Sequence, residues 1–93
     1  MDKIISEIKE ERYSQDRKWG IQNHNPEWWM QILMEEVGEV SKALLEAKFG
    51  NWSLSEYRKE MVQVAAVAVV MLECFDRNSS QPITESDIEK GVI

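Results

Sequence analysis

Four side chains in two short stretches could together hold a cation. Glu36 and Glu39 stand three apart in MEEVGEV, residues 34–40, and Glu60 and Gln63 repeat that spacing in EMVQ, residues 60–63. Residues three apart adjoin on one face of an α-helix, so each stretch offers two oxygen donors side by side. Each leading glutamate also falls within an apolar stripe. At about 100° per residue, Glu36 shares its face with Trp29, Ile32, Leu33, Val40, Ala43 and Ala47, and Glu60 shares one with Val64, Val67, Ala68 and Met71. A carboxylate carried into such a face must be paired, shifted in pKa or bound to a metal. If the two helices pack antiparallel, the pairs converge into one oxygen-rich cluster. Carboxylate and amide oxygens are hard ligands of the kind magnesium takes, alongside waters and phosphate oxygens. The competing reading is a charged helix surface, with Glu35, Glu36 and Glu39 paired to Lys42 or to arginines elsewhere. The phase of Glu36 and Glu60 relative to the apolar stripes favours the cation site. Glu35 points about 100° away from Glu36 and reads as solvated or as a support behind the ligands.

The elements that must position these residues are helices. A polar first helix is predicted over about 2–17, with Asp2 as N-cap and Ile4, Ile5 and Ile8 as a narrow apolar edge. The segment KWGIQNHN, 18–25, breaks the pattern and reads as a loop. Asn25, Pro26 and Glu27 form a strong helix start, since asparagine caps, proline is preset for the first turn and glutamate suits the positive end. The second helix is predicted from Pro26 to about Lys48, with Gly50 and Asn51 ending it. Ser53 and Glu56 have capping-box spacing, which predicts a third helix from there to about Arg77. RNSSQP, 77–82, reads as a linker, and within 82–93 a short helix from Thr84 to about Lys90 is predicted, capped by Thr84 or Ser86. No strand pattern or internal repeat is evident. The fold class is therefore all-α: one domain over 1–93, with its core over about 2–77.

From Val64 to Leu72 the third helix is apolar all the way round, VAAVAVVML. A helix without a polar face is buried on every side, yet the run is too short to span a bilayer. Three helices can hardly enclose it, so a helical bundle completed by oligomerisation is expected, as a homodimer or a homotetramer.

The charge balance narrows the partners. Seventeen acidic residues against eleven basic ones give a net charge of −6, which disfavours attraction to nucleic acid polymers and to anionic membranes. A polyphosphate substrate would have to come with metal cations. The start MDKIISEIKEER has no uninterrupted apolar core followed by a small-residue cleavage site, so a cytoplasmic protein is expected. The single cysteine, Cys74, reads as a packed thiol.

Around the acidic helix lie candidate binding residues. Trp19, Trp28 and Trp29 flank the loop, and an indole face can stack on a nucleobase. Trp19 is the better stacking candidate, since Trp29 lies on the stripe and reads also as core. Gln22, Asn23 and His24 carry donors and acceptors that could read base edges, although a polar loop is usually just solvated and His24 has no second histidine or cysteine to suggest a metal. Lys18, Lys42, Arg58 and Lys59 are the cations near enough in sequence to meet a triphosphate, and each also reads as a solvated helix residue.

EEVGE followed after a spacer by EMVQ resembles the signature of the MazG-like all-α nucleotide pyrophosphohydrolases, ExxE, a variable spacer, then ExxD. The first half is Glu36-Val37-Gly38-Glu39 and the second Glu60-Met61-Val62-Gln63. Upstream, ERYSQDRKWGIQNHNPEWW, 11–29, is similar to the leader of small phage-type or mobile-element-type members, so the likeness covers 11 to about 77. It implies a bundle of the MazG-like type. It also implies magnesium-dependent, or manganese-dependent, hydrolysis of a nucleoside triphosphate between the α and β phosphates, giving monophosphate and pyrophosphate. By that resemblance Glu36, Glu39 and Glu60 would be catalytic metal ligands, joined by Gln63; the residues beside them make Trp19, Gln22, Trp29, Lys18 and Lys59 the candidate substrate-binding side chains. Gln63 departs from the pattern: its amide oxygen can still coordinate a cation, but with one negative charge fewer. A second reading, of a different class, is a noncatalytic oligomeric helical protein that keeps the acidic cluster and binds a nucleotide or a protein without turnover.

Overall fold

A computed structural model of the chain describes residues 1–50 and 53–78. Trp52, most of the expected linker and the expected helix at 84–90 lie outside the described residues. Among those described, the chain is all-α, with three helices and no strand: α1 (Asp2–Trp19), α2 (Pro26–Phe49) and α3 (Ser55–Asn78). No helix among them is long and apolar enough to cross a membrane.

The helix ends follow from local chemistry. α2 starts as its sequence predicts: Asn25 Oδ1 accepts the Trp28 N–H at 2.8 Å, and Pro26 fills the first turn. α1 runs two residues further than expected, so Lys18 and Trp19 complete a helix rather than open a loop. Its stop is Gly20, at φ 72, whose N–H bonds Asp16 O at 2.9 Å; a residue with a Cβ is strained in that conformation. At the other end Met1, not Asp2, occupies the cap, and Asp2 instead sets its charge in the positive first turn. α2 ends at Gly50, where an added Cβ would come within 2.5 Å of Glu46 O. α3 begins at Ser55, two residues after the expected cap, with Ser53 Oγ accepting the Ser55 N–H at 3.3 Å.

α3 is the central element, because α1 and α2 each pack against it and their backbones do not approach each other. α2 is antiparallel to α3. Trp29, in its first turn, packs with Val67, Val70 and Cys74 toward the far end of α3, and Ile32, Leu33 and Met71 close over them. Ala43 and Ala47, buried on the same α2 face, let the helices stay close further along. The predicted stripe of α2 is thus its contact face. Cys74 is a packed thiol within this core, 2% exposed.

α1 lies along α3 in the same direction and docks differently from its sequence pattern. Ile4 and Ile5 remain 46% and 43% exposed, whereas Arg12 and Gln15 are buried. Arg12 is tolerated there because its guanidinium is fully engaged: Nε donates to Glu73 Oε1 at 2.7 Å, and the two terminal nitrogens reach Gln15 Oε1 at 3.0 Å and Asp16 Oδ1 at 3.1 Å. An ion pair from Glu7 to Arg58, 2.6 Å, ties the early turns of both helices.

The all-apolar stretch of α3 is only half covered. Ala66, Val67 and Val70 are buried, while Ala68, Val69 and Leu72 face outward, Leu72 at 65% exposure. Met30, Met34, Val37, Leu44 and Leu45 of α2 are exposed as well.

Gly38 sits mid-helix on the open side of α2, and a Cβ added there meets nothing within 4 Å. Gly38→Ala is therefore expected to stabilise the fold by about 0.5–1 kcal/mol through helix propensity alone. Urea denaturation should show a higher midpoint at an unchanged slope; a lower midpoint would mean that another chain packs tightly against this position.

Candidate functional site

α1 and α2 stand apart on α3, and their separation leaves a cavity of about 110 Å³ floored by Val67 and Val70. Trp29, Ile32 and Glu36 of α2 form one side, Arg12, Gln15, Asp16 and Trp19 of α1 the other, and Gly20 and Gln22 of the connecting loop the end. Gln63 enters from α3, so the antiparallel packing brings the two halves of the acidic pattern to one place, with Glu36 and Gln63 lining the same cavity. Glu60 is half-buried and Glu39 exposed.

Glu36 holds its proton more tightly than an ordinary glutamate. Burial is the main cause, and the negative charges of Glu60, Glu39, Glu11 and Glu35 add to it in that order. Among the described residues no cation pairs with them. The ion pairs among the described residues join Arg12 to Asp16 and Glu73, and Arg58 to Glu7; none reaches Glu36, Glu39 or Glu60. A salt-bridged helix surface involving Lys42 or arginines is therefore not what the described residues form.

The donor set, three carboxylates and an amide oxygen, suits a hard divalent cation. Its members are nonetheless spread out: among the described residues no three His, Cys, Asp or Glu side chains are gathered at metal-holding spacing. Glu36 with Gln63 inside the cavity, and Glu39 with Glu60 beside it, are the residues that could close on an ion.

Three of the five candidate substrate residues line the cavity. Trp19, 62% exposed, stands at the rim, Gln22 lines the loop end, and Trp29 is both core and wall. The indole N–H of Trp29 is buried against the Cys74 side chain with no oxygen or nitrogen partner among the described residues, an uncommon condition for a polar group. The other two lie elsewhere. The Lys18 ammonium sits 5.6 Å from the Trp19 ring centroid, and Lys59, one position before Glu60 and so turned about 100° from it, is exposed outside the cavity lining. His24 packs its ring edge-on against Trp29, centroids 4.8 Å apart, in keeping with a packing role.

α1 supplies members that sequence spacing missed. Glu11 adds its charge to the field at Glu36, Gln15 Nε2 donates to Glu11 Oε1 at 3.5 Å, and Arg12 in turn holds Gln15. The spacing of Glu11 and Gln15 puts them on one helix face, but only the docking of α1 on α3 shows that this face lies across the cavity from Glu36.

Comparisons with protein-family models, with curated proteins and with solved structures find no match to this chain.

Proposed function

We propose that the chain is a magnesium-dependent nucleotide pyrophosphohydrolase of the MazG-like all-α type, cleaving a nucleoside triphosphate between the α and β phosphates and so removing noncanonical or surplus nucleotides. The observation that carries this reading is the cavity that Glu36 and Gln63 line together, with further carboxylates around Glu36 and no ion pair reaching them among the described residues. Such a cluster is costly to the fold, and perturbed acids in a cleft gather at functional sites. Glu36, Glu39, Glu60 and Gln63 would hold the ion. Bound there, it would offset charge on the phosphates and lower the pKa of a water. Glu36, with its raised proton affinity, is suited to accept the proton of the attacking water at its carboxylate. At about 110 Å³ the cavity admits a single ring system rather than a whole nucleotide. The base would enter between Trp19 and Trp29 beside Gln22, and the triphosphate would lie outward past Glu39 and Glu60.

Product analysis tests the reading. The wild type is expected to release monophosphate and pyrophosphate from at least one nucleoside triphosphate in the presence of magnesium. Gln63→Asp is expected to bind the ion more tightly by restoring a charged ligand. Turnover need not rise, since a tighter site also holds pyrophosphate longer. Silence from both proteins across common and modified nucleotides would favour the second reading, a noncatalytic nucleotide-binding or protein-binding module, which the spread-out carboxylates support.

A homodimer or homotetramer belongs to the same proposal. The exposed apolar side chains of α2 and α3, Leu72 and Leu45 among them at 65% and 55%, are the surface a second copy would cover. Light scattering at micromolar concentration is expected to give no monomer; a stable monomer would remove oligomerisation from the proposal.

A further inference from the structure

One side-chain oxygen gathers more contacts than any group of the acidic cluster. Asn23 Oδ1, in the loop between α1 and α2, accepts Arg77 Nε at 3.2 Å and Nη2 at 2.8 Å, Asn78 Nδ2 at 3.1 Å and the Cys74 thiol at 3.8 Å. All four donors come from the last turns of α3. Arg77 Nη2 also donates to the carbonyl of Gln22 at 2.9 Å, so one guanidinium grips two successive loop residues. Forked contacts of this kind fix direction as well as distance, and a lysine could not reproduce them.

The loop is short and bounded by fixed points. Gly20, at φ 72, is the turn at one end, and Asn25, the cap of α2, is the other. Between them Gln22 lines the cavity at Glu36, and its carbonyl is the one Arg77 holds. The cavity wall is therefore pinned from the opposite end of the chain, across 55 residues of sequence. Arg77 and Asn23 are not themselves among the lining residues, so anything they do for a ligand passes through Gln22.

From this geometry we infer that Arg77 and Asn23 form a latch that positions the Gln22 wall for nucleotide recognition, making both of them positioning residues for affinity. The inference rests on the nucleotide reading of the cavity. The latch holds the wall in its ligand-ready place before binding, so the ordering cost is met in folding rather than on association. Loss of the latch weakens binding and leaves the groups around Glu36 where they are.

The test uses the full chain with Asn23→Ala, Arg77→Ala, the double variant, and Asn23→Asp, which keeps an oxygen acceptor for Arg77. Steady-state hydrolysis and equilibrium binding of a nucleoside triphosphate with a nonhydrolysable α,β bridge are measured with magnesium. Each alanine variant is expected to raise KM and Kd about tenfold while kcat stays within about twofold. The double variant should be no worse than the poorer single one, because both remove the same latch, and Asn23→Asp should stay close to wild type. Both side chains are exposed; should truncation of Arg77 cost the fold by circular dichroism, Arg77→Gln, which keeps a donor but loses the fork, is expected to raise Kd about fivefold. Unchanged affinity, a fall in kcat at constant KM, or additive losses in the double variant each overturn the latch. Binding without hydrolysis in the wild type would overturn only the hydrolase reading and leave the Kd series decisive, whereas no binding at all would overturn both.

Discussion

Glu36→Gln is expected to melt a few degrees higher than the wild type at pH 7 and to release pyrophosphate on the order of a hundredfold to a thousandfold more slowly. The two effects have one cause. Burial and the charges of Glu60, Glu39, Glu11 and Glu35 raise the pKa of Glu36 above its ordinary 4.5. The fold therefore binds this proton more tightly than the unfolded chain does. Its stabilising contribution is complete below pH 4.5 and is lost as pH rises through the folded-state value. Once ionised, the wild-type carboxylate is half-buried with no ion pair among the described residues, and glutamine removes that cost. The melting difference should accordingly close as pH falls toward 4, where the wild type takes up its own proton. Added magnesium should raise the wild-type melting temperature and leave Glu36→Gln little changed. If Glu36→Gln melts no higher at pH 7, the cluster is already compensated; if it turns over normally, Glu36 is not the proton acceptor.

The second large effect concerns Trp29. Trp29→Ala is expected to cost about 3–5 kcal/mol, because the indole is 4% exposed and packs against Val67, Val70 and Cys74. A domain of 93 residues has a total stability of about 5–14 kcal/mol, so the loss removes from about a fifth to the whole of it. Trp29→Phe keeps a ring in the core and deletes an N–H that has no oxygen or nitrogen partner among the described residues, and should lose less than half as much. Urea midpoints for the two variants check the ordering. Equal losses would show that the N–H contributes stability through a contact not accounted for by the core.

Much of this was legible in the residues. The phase of Glu36 and Glu60 against their stripes, the Asn25-Pro26 start and the short connection after Gly50 foretold antiparallel helices that bring Glu36 and Gln63 together. What spacing could not carry was the docking of α1. Its isoleucines promise an apolar contact, yet Arg12 and Gln15 lie in the interface, because a long side chain that satisfies Glu73, Gln15 and Asp16 at once can be buried. Glu11 joins the field at Glu36 for that reason alone. The latch at Asn23 was equally hidden. Asparagine in a polar loop reads as solvated, and its partners Arg77 and Asn78 lie more than fifty positions away. The spread of the carboxylates also goes beyond the sequence, since helical phase sets a direction and not a rotamer.

α1 and α2 each pack against α3 while their backbones do not approach each other, and α3 is made last of the three. A ribosome adding about 5–20 residues per second would therefore release both earlier helices with nothing to pack against. Until Val67, Val70 and Cys74 emerge, Trp29 has no core to enter, and Arg12 lacks Glu73 and keeps only its partners within α1, Gln15 and Asp16. Among the described residues, tertiary structure comes as a single late event: α1 and α2 wait in the exit tunnel and the surrounding water, and α3 condenses them together.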